Sequence, residues 1–538
     1  MIPGFVRLSV TGEQRERFLN LCKSRGVMFR RIVQTGEKEL LLTMRVKDFF
    51  LIGPLRRKTG VHIHILKKRG PVFFLLACRR NKLLPVGVLT VIGVLFFLSG
   101  RVWKALWLME AMAAEGLQVT DLGMASTPAM FMSTVTEGFA FDASVMITAS
   151  HLPFNRNGYK FFTKDGGLEK QDIAAILALA GGSEHTGLPA GSIVTGSFMD
   201  TYAAQLRKKV QDAAGCEQPL AGMRIVVDAG NGAGGFYCAK VLEPLGADTA
   251  GSRYLDPDGS FPNHIPNPEN EAAMQSIMDA VQESKADLGI IFDTDVDRAG
   301  AVLSDGTELN RNRIIAMMAA ILLREHPGTT IVTDSITSTG LAAFIRKHGG
   351  VHHRFKRGYR NVINESMRLN REGHDSQLAM ETSGHGALKE NYFLDDGAYL
   401  VTRLLIELAR AKKEGYTLES LIADLAEPAE SKEFRMNILV PDFKAYGQKI
   451  IDELNVYAAS QPGWSVAPDN FEGVRVNLDK AHGDGWFLLR LSLHDPLIPL
   501  NIESDSVGGV RQIAAELAPF LRPFDQLDTG ALLAFAGC

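Results

Sequence analysis

The order of apolar and polar residues divides the chain near residue 103. Before this point, short segments alternate apolar and polar side chains, which predicts half-buried strands. These segments are residues 6–12, 40–46 and 61–68. Residues 16–26 predict a short helix that ends at Gly26. We therefore expect a small α+β domain over residues 1–82.

After residue 103 the pattern changes. Amphipathic helices alternate with short strands rich in Val and Ile, such as RIVVDAG and ADLGIIFD. This alternation predicts α/β layers with largely parallel sheets. The number of units predicts several similar domains of roughly 100 residues each.

Between these two patterns lies an uncharged apolar run of 18 residues, Leu83 to Gly100. Its length and the tryptophans that follow it, Trp103 and Trp107, predict a transmembrane helix over residues 83–103. A buried core helix is the alternative. Basic residues precede the run, and they are Lys67, Lys68, Arg69, Arg79, Arg80 and Lys82.

Charge also changes near this point. Residues 1–100 contain 19 Lys and Arg against 5 Asp and Glu, whereas the remainder contains 39 against 56. Such a reversal indicates two unrelated pieces. A basic piece can bind nucleic acid or anionic lipid, and the apolar run favours lipid, so we expect a membrane partner and no nucleic acid. With 46% apolar and 22% charged residues among 538, the composition excludes a disordered or fibrous chain.

Two loops after apolar strands carry candidate chemistry. Asp293, Asp295 and Asp297 alternate directly after GIIF, and three converging carboxylates repel one another unless a divalent cation binds them. This spacing predicts a Mg²⁺ site, against the alternative of a solvated acidic loop. Ser150 and His151 follow the strand SVMI and suit a nucleophile beside a proton shuttle.

Two further loops suit sugar and phosphate. Glu381 and Ser383 lie in ETSGHG and can hydrogen-bond vicinal hydroxyls, or form a plain turn. Arg490 and Ser492 lie in RLSLHDP and can grip a phosphate, or form a strand end. The segment GNGAGG at 230–235 fits a dinucleotide pattern, but it does not explain the acidic loop or the Ser-His pair.

The first 103 residues resemble the YqfD-like sporulation membrane proteins. The matching segments are RFLNLCKSRGV, DFFLIGPLRRKTGVHIHILKKRGPVFF and the apolar run that closes in LSGRVW. The resemblance implies a membrane location more than an activity.

Residues 104–538 resemble the α-D-phosphohexomutase superfamily, the phosphoglucomutase and phosphomannomutase enzymes. TASHLPFNRNGYKFF resembles the phosphoserine loop, DTDVDR the metal loop, ETSGHG the sugar loop and RLSLHDP the phosphate loop. VDAGNGAGG and PDGSFPNHIPNPE resemble second-domain signatures. The resemblance implies three similar α/β domains and a smaller α+β domain around a cleft, with boundaries at 104–200, 201–310, 311–428 and 429–538.

The resemblance also implies the residue roles. Ser150 would carry the phosphoryl group and, with Asp293, Asp295 and Asp297, bind one Mg²⁺. His151 and Lys160 would transfer protons, and Arg298 would contact the transferring phosphate. The remaining residues would bind substrate, and they are Gly358, Arg360, Glu381, Ser383, His385, Arg490, Ser492 and His494. A hexose 1,6-bisphosphate would be both intermediate and activator, and the net reaction would interconvert hexose 1- and 6-phosphates.

Several features depart from the superfamily pattern. Leu152, the LHDP sequence, Asn501 and Arg360 stand where other residues are frequent. These differences indicate altered substrate detail, and glucose, mannose and glucosamine phosphates all remain open.

The larger departure is at the front of the first mutase domain. Members begin with a strand-rich segment that carries a Gly-rich turn and an active-site Arg, and here the membrane piece stands in its place. We expect an incomplete first sheet with an exposed edge and weaker stabilisation of the transferring phosphate.

The location follows from the apolar run. If it spans, the chain is membrane-anchored, but the basic flank predicts a cytoplasmic N-terminus and a single span would place the mutase outside. The mutase chemistry is expected in the cytoplasm, so either the run does not span, or residues 71–78 help to form a hairpin, or the fusion does not work. Three hypotheses follow: a tethered active mutase, a catalytically impaired fusion, and a sporulation-type membrane protein whose mutase part only binds sugar phosphate.

Overall fold

The computed structural model describes residues 4–36, 38–69, 102–150, 152, 156–180, 189–492 and 495–538. The chain separates into two compact units, Met1–Leu108 and Met109–Cys538. Within the residues described, no helix combines the length and the apolar character needed to cross a membrane. Residues 83–101 of the predicted transmembrane helix lie outside the described part of the chain.

The N-terminal unit contains a four-stranded antiparallel sheet, in the order β2-β3-β1-β4. Its strands are β1 (Phe5–Thr11), β2 (Phe29–Gly36), β3 (Glu39–Arg45) and β4 (His62–Arg69). Its helices are α1 (Arg15–Ser24), α2 (Val46–Phe49) and α3 (Gly53–Thr59). Helix α1 buries Phe18 and Cys22, one turn apart, and the chain leaves it through Gly26 at φ 74°. The small α+β architecture is as the alternating pattern predicts.

The region that follows the N-terminal unit, residues 109–200, does not form one continuous sheet within the described residues. Strands β5 (Val119–Asp121) and β9 (Ile193–Thr195) make a parallel pair, and β6 (Ala143–Ile147), β7 (Tyr159–Thr163) and β8 (Gly166–Gly167) make a separate antiparallel sheet. The helices are α4 (Val102–Ala114), α5 (Thr127–Val135) and α6 (Lys170–Ala180). Helix α6 buries none of its residues. The incomplete first domain stays a prediction.

The next two regions repeat one plan. In each, parallel strands are followed by an antiparallel hairpin, with sheet orders β10-β11-β12-β13 and β15-β14-β16-β17. The first set of strands is β10 (Ile225–Asp228), β11 (Leu288–Phe292), β12 (Ala299–Leu303) and β13 (Glu308–Leu309). The second set is β14 (Thr330–Thr333), β15 (Val351–Arg354), β16 (Ser376–Met380) and β17 (Gly386–Leu388). The long helices are α7 (Met199–Ala214), α8 (Glu271–Ser284), α9 (Arg311–Glu325), α10 (Thr339–Lys347), α11 (Tyr359–Arg371) and α12 (Gly397–Glu414).

Burial explains why the central strands β11 and β12 are uniformly apolar. Every residue of β11 and β12 is buried, and α9 buries ten consecutive residues from Ile314 to Leu323. Strands covered by helices on both faces are apolar throughout rather than alternating. One apolar core runs through these regions, so the loops at the strand ends are carried on a packed support.

The C-terminal region has its own core and an antiparallel sheet in the order β18-β22-β21-β20-β19. Its strands are β18 (Glu430–Asn437), β19 (Trp464–Val466), β20 (Val474–Leu478), β21 (Gly485–Leu489) and β22 (Leu497–Ser504). Its helices are α13 (Phe443–Ser460), α14 (Gly509–Leu521) and α15 (Gly530–Ala536). This is the smaller α+β unit that the resemblance implies.

Truncation of a core residue in β11 tests whether the apolar core stabilises the sheet that carries the loop at 293–298. Ile290 is fully buried in that strand. We expect Ile290→Ala to reduce the free energy of unfolding by about 2–5 kcal/mol, because it removes apolar contacts and leaves a cavity. Thermal unfolding followed by circular dichroism measures the effect. The matched control is Ile176→Ala in α6, where the side chain is 40% exposed, and equal destabilisation by both variants would contradict the assigned packing.

Candidate active site

The four loops singled out in the sequence share one structural position. Each is the tip of an antiparallel hairpin: residues 148–158 join β6 to β7, and 293–298 join β11 to β12. Residues 381–385 join β16 to β17, and 490–496 join β21 to β22. Paired strands fix both ends of every loop, which limits how far its side chains can move.

The acidic loop brings its three carboxylates together. Asp293, Asp295 and Asp297 are 0%, 1% and 3% exposed, and ligand atoms of all three lie within 4.8 Å of one another. Val296 between them has φ 66°, a left-handed conformation that is costly for a β-branched residue and that the surrounding structure must hold.

Carboxylate oxygens that accept no hydrogen bond in this loop fit a divalent cation. The buried Oδ1 atoms of Asp295 and Asp297 accept no hydrogen bond from any described residue. Buried carboxylate oxygens without partners are costly, and oxygen-only ligands are those that hard divalent cations prefer. The buried acidic cluster therefore fits a metal site.

The pKa values of these carboxyl groups diverge. Burial, with the negative charges of Asp297 and Asp295, raises the pKa of Asp293 well above its usual range. Burial also acts on Asp297, but the charges of Lys160, His385 and Arg298 outweigh it and hold its pKa below the usual value. The two carboxyl groups therefore lie in different electrostatic environments within one loop.

Ser150 lies against this loop. Its Oγ lies 3.5 Å from Asp293 Oδ2 and 3.4 Å from Arg298 Nη2, which donates to it. Its backbone N–H donates to Thr148 Oγ1 at 2.9 Å, and its φ of 49° places the residue in the left-handed region. A serine held in a sparsely populated conformation beside carboxylates and a guanidinium is well placed to exchange a phosphoryl group. His151 lies outside the described residues.

Lys160 on β7 makes the closest cationic contacts to the acidic loop. Its Nζ lies 2.9 Å from Asp295 Oδ2 and 2.5 Å from Asp297 Oδ2. Burial favours the neutral amine, but the two carboxylates outweigh it and raise the pKa of Lys160. The side chain is therefore a protonated ammonium that can donate, and not a base, in this arrangement.

Arg298 and His385 complete the charge balance. Arg298 is buried, and its Nε donates to Asp293 Oδ2 at 3.1 Å. His385 Nδ1 lies 2.5 Å from Asp395 Oδ2 and 3.9 Å from Asp297 Oδ1, and its ring stacks on Tyr359 at 4.9 Å. Burial lowers the pKa of His385, but Asp395 and Asp297 outweigh it and raise the value to about 9.

Asp395 was not predicted from the sequence. It lies in the pair Asp395-Asp396 before α12, where Asp396 accepts a hydrogen bond from Tyr399 N and so caps the helix. An acidic pair at a helix start is explained by capping alone, so the pattern does not indicate that Asp395 holds a histidine ten residues earlier.

The predicted sugar loop is also buried. Glu381 is 4% exposed, its Oε1 accepts from Gly358 N at 2.5 Å, and its Oε2 accepts from Ser383 Oγ at 3.1 Å. Gly358 has φ 115°, which a residue with a Cβ rarely adopts, and it precedes α11 directly. The two protein donors orient the carboxylate, and its lone pairs not used by them suit hydroxyl groups.

Arg360 points elsewhere than to Glu381. Its guanidinium donates to the carbonyl oxygens of Gly167 and Leu168 at 2.8 and 3.1 Å and pairs with Glu169 at 2.9 Å. It therefore ties the region of residues 109–200 to α11. Arg357, which sequence reasoning missed, is surrounded by the carboxyl groups of Asp334, Glu269, Glu381 and Glu433, which raise its pKa despite burial.

Arg490 faces the same region as Arg357. Burial, with the charge of Arg357, lowers the pKa of Arg490, and its Nε has no hydrogen-bond partner among the described residues. Ser492 Oγ accepts from Asp495 N at 3.2 Å. A cleft of about 740 Å³ is lined by Arg357, Ser492 and two lysines, Lys356 and Lys444. Cations whose charge is only partly balanced by carboxylates, beside a cleft, suit an anionic group. His494 lies outside the described residues.

The glycine-rich turn at 230–235 supports the acidic loop. A Cβ on Gly232 would lie 2.6 Å from Thr294 O, and Ala233 N donates to the same oxygen at 2.8 Å. Asp228 fixes the start of the turn, accepting from Gly230 N at 2.9 Å and from Ser276 Oγ at 2.6 Å and pairing with His264 Nε2 at 3.0 Å. Gly232 is explained by close backbone packing on the acidic loop, and Gly235 by close packing on Leu255 O, without a dinucleotide.

Comparison with known proteins matches both parts of the chain. Residues 1–105 match the stage IV sporulation protein YqfD family. Residues 104–184, 200–306 and 310–428 match the α/β/α domains I, II and III of the phosphoglucomutase/phosphomannomutase family.

Individual relatives cover most of the second part. A phosphomannomutase/phosphoglucomutase of Pseudomonas putida is 31% identical over 408 residues, 76% of this chain and 81% of the relative. A phosphoglucomutase of Neisseria gonorrhoeae is 29% identical over 415 residues, 76% and 83% of the two chains. A crystal structure of a phosphoglucomutase/phosphomannomutase family protein from Burkholderia thailandensis aligns with a TM-score of 0.64 and 27% identity, covering 78% of this chain and 87% of that one.

The His264–Asp228 pair gives a pH-dependent test of the support below the acidic loop. Burial lowers the pKa of His264, but Asp228 outweighs it and raises the value above the usual one. A histidine with a raised folded-state pKa contributes stability below its unfolded pKa of about 6.5 and loses it as pH rises through the folded value. We expect His264→Gln to cost about 1.5–3 kcal/mol near pH 6 and less at higher pH.

Thermal unfolding at a series of pH values measures this difference. The control is His374→Gln, at an exposed histidine. A destabilisation by His264→Gln that stays constant or grows with pH would contradict the ion pair.

Proposed function

We propose that this chain, which belongs to the phosphoglucomutase/phosphomannomutase family, interconverts hexose 1-phosphates and hexose 6-phosphates. The observation that carries the proposal is the position of Ser150 Oγ, 3.5 Å from the buried carboxylate of Asp293 and 3.4 Å from Arg298. Hairpin tips from different sheets bring these groups together. A phosphoryl group on Ser150 would lie beside the Arg298 guanidinium, which can donate hydrogen bonds to it and offset its negative charge.

This geometry supports a phosphoryl transfer between Ser150 and the sugar. Ser150 Oγ carries the phosphoryl group, and a sugar hydroxyl attacks phosphorus as its proton passes to a base. The bond from phosphorus to Oγ breaks as the new ester forms, and Oγ receives a proton. Asp293, Asp295 and Asp297, with a phosphoserine oxygen, would hold Mg²⁺, which would neutralise negative charge during the transfer. Arg298 places a second positive charge beside Ser150. The resulting bisphosphate reorients in the site and transfers its other phosphoryl group to Ser150.

We assign donation of a proton to the leaving oxygen to Lys160, and uptake of the proton from the attacking hydroxyl to His151. Lys160 is protonated in the described arrangement, so it donates to an oxygen that gains charge as a bond to phosphorus breaks. Its Nζ contacts a carboxylate of the acidic loop, and Ser150 Oγ contacts another carboxylate of that loop. Proton donor and nucleophile thus contact different carboxylates of the same loop, Asp295 and Asp297 for Lys160 and Asp293 for Ser150.

Substrate orientation is assigned to the other two loops. Glu381 and Ser383 hold sugar hydroxyls, while Arg357, Arg490 and Ser492 hold the phosphate that does not react. The residue pattern does not select one sugar, and the similar proteins named above are a phosphoglucomutase and a dual phosphomannomutase/phosphoglucomutase. We therefore propose glucose and mannose phosphates as substrates, with a hexose 1,6-bisphosphate as activator.

Binding without turnover is the second candidate function, and the first mutase region favours it. Its strands form two separate sheets, and α6 buries no residue. A poorly supported Ser150 loop would leave sugar-phosphate binding by the other loops intact while lowering the rate of transfer.

Attachment to a membrane is proposed for the N-terminal part. The support is the uncharged run of 18 residues from Leu83 to Gly100 and the match of residues 1–105 to the YqfD family. Association of the full chain with phospholipid vesicles is the direct measure of this attachment.

Replacement of the nucleophile separates the two candidate functions. We expect the chain to convert glucose 1-phosphate with Mg²⁺ and glucose 1,6-bisphosphate, and Ser150→Ala to lower kcat by at least about 10³-fold, because no hydroxyl remains to carry the phosphoryl group. A coupled assay of glucose 6-phosphate measures turnover. Ser192→Ala, an exposed serine of the same region, is the control.

The outcomes of this experiment are distinct. Retained turnover in Ser150→Ala would exclude the phosphoserine route. A folded native chain that binds glucose 1-phosphate in calorimetry but shows no turnover would establish the binding-only function.

The metal site has a test that does not depend on activity. We expect Mg²⁺ to raise the thermal midpoint of the native chain, by a stabilisation of about 2.7 kcal/mol at a concentration one hundred times its dissociation constant. Asp295→Asn should lose most of this effect, because one of three carboxylate ligands is gone. Asp305→Asn, at an exposed acidic residue of the neighbouring turn, should keep it. Equal Mg²⁺ stabilisation of both variants would place the cation elsewhere.

A further inference from the structure

We propose that residues 47–58 of the N-terminal unit form a peripheral contact with an anionic phospholipid surface, separate from the apolar run that begins at Leu83. This basic-aromatic segment comprises the end of α2, the turn after it and most of α3. The proposal depends on attachment of the chain to a membrane and is independent of the mutase chemistry.

The turn presents two large apolar side chains outward. Phe50 is 74% exposed, the highest value for a large apolar side chain in the described N-terminal unit, and Leu51 is 52% exposed. Their neighbours Ile52 and Leu55 are 2% and 5% exposed and lie in the core of the unit. The inward pair anchors the turn, so Phe50 and Leu51 project from it.

The turn has a defined backbone. Leu51 N donates to Asp48 O at 3.1 Å, and Ile52 N donates to Phe49 O at 3.4 Å, before α3 begins at Gly53. A short turn closed by hydrogen bonds holds its exposed side chains in place, which lowers the entropy lost when they enter another phase.

Cations surround these apolar side chains. Lys47, Arg56, Arg57 and Lys58 are all exposed, and none of them forms an ion pair with a carboxylate in the described part of the chain. Asp48, the single acidic residue of the segment, is buried at 6% exposure. Over residues 1–69 the sequence has 16 Lys and Arg against 5 Asp and Glu. The surface is therefore complementary to negative charge.

Apolar side chains between cations select a lipid bilayer over other anionic partners. Phe and Leu enter the boundary between headgroups and acyl chains while Lys and Arg remain with anionic headgroups. The phosphates of a nucleic acid would bind the cations and a base could stack on Phe50, but a nucleic acid has no apolar interior in which Leu51 could be buried. The uncharged run begins at Leu83, 14 residues after Arg69, which keeps this unit close to any bilayer that the run enters.

The test uses the full chain with a reporter at the turn. Phe50→Trp adds one tryptophan to the four native ones, and its fluorescence is measured in phosphatidylcholine vesicles with and without phosphatidylglycerol, in the presence of brominated lipid. Gln34→Trp, at an exposed position of the edge strand β2, is the matched control. Subtracting the native signal isolates the added tryptophan in each case.

We expect the added tryptophan of Phe50→Trp to be quenched at least about twofold more than that of Gln34→Trp when phosphatidylglycerol is present. The difference should fall in high salt and in the background Arg56→Gln/Arg57→Gln. Equal quenching at both positions, or quenching that is insensitive to phosphatidylglycerol and salt, would overturn the proposal.

Two further readouts keep the result unambiguous. Binding of a labelled single-stranded oligonucleotide that is lost in Arg56→Gln/Arg57→Gln, without any lipid quenching, would assign the surface to nucleic acid and overturn the proposal. Turnover of glucose 1-phosphate by Phe50→Trp equal to that of the native chain shows that failure at this surface is separate from failure of the mutase.

Discussion

The burial of three carboxylates on one short loop is the constraint on which the mutase part depends. Asp293, Asp295 and Asp297 cannot all be charged in an apolar interior unless positive charge surrounds them. The chain supplies that charge from different places: Lys160 from the Ser150 hairpin, Arg298 from the acidic loop itself and His385 from the sugar loop. Electrostatic necessity thus draws the hairpins together. A divalent cation would add positive charge to carboxylates that the protein's own cations already partly neutralise.

The arrangement of helices and strands could be predicted because it depends on the local order of apolar and polar residues. Alternation in the first 69 residues predicts the small sheet, and uniformly apolar strands predict buried parallel sheets, as in β11. The four loops could be found because each combines reactive residue types with the end of an apolar strand. Both family resemblances are confirmed by the matches to the two families. The transmembrane helix, the domain boundaries and the roles of individual residues remain predictions.

What could not be predicted depends on contacts between distant segments. Arg360 was assigned to substrate, yet its guanidinium lies on Gly167, Leu168 and Glu169, and no local pattern indicates such a partner. Asp395 and Arg357 were missed because a helix cap and a cation before a turn have ordinary explanations. The pairing of Lys160 with two aspartates 135 and 137 residues later follows only from the fold.

The common placement of the loops at hairpin tips has a consequence for how such a centre can change. A hairpin tolerates insertion or exchange at its tip while the strands that bear it keep their register. The residues proposed as nucleophile, metal ligands, sugar-binding groups and phosphate-binding groups occupy four separate tips. Each could therefore be altered in evolution without rebuilding the others. Substrate preference can drift in the sugar and phosphate tips while the transfer chemistry stays unaltered, a modular route by which one scaffold comes to serve different sugars.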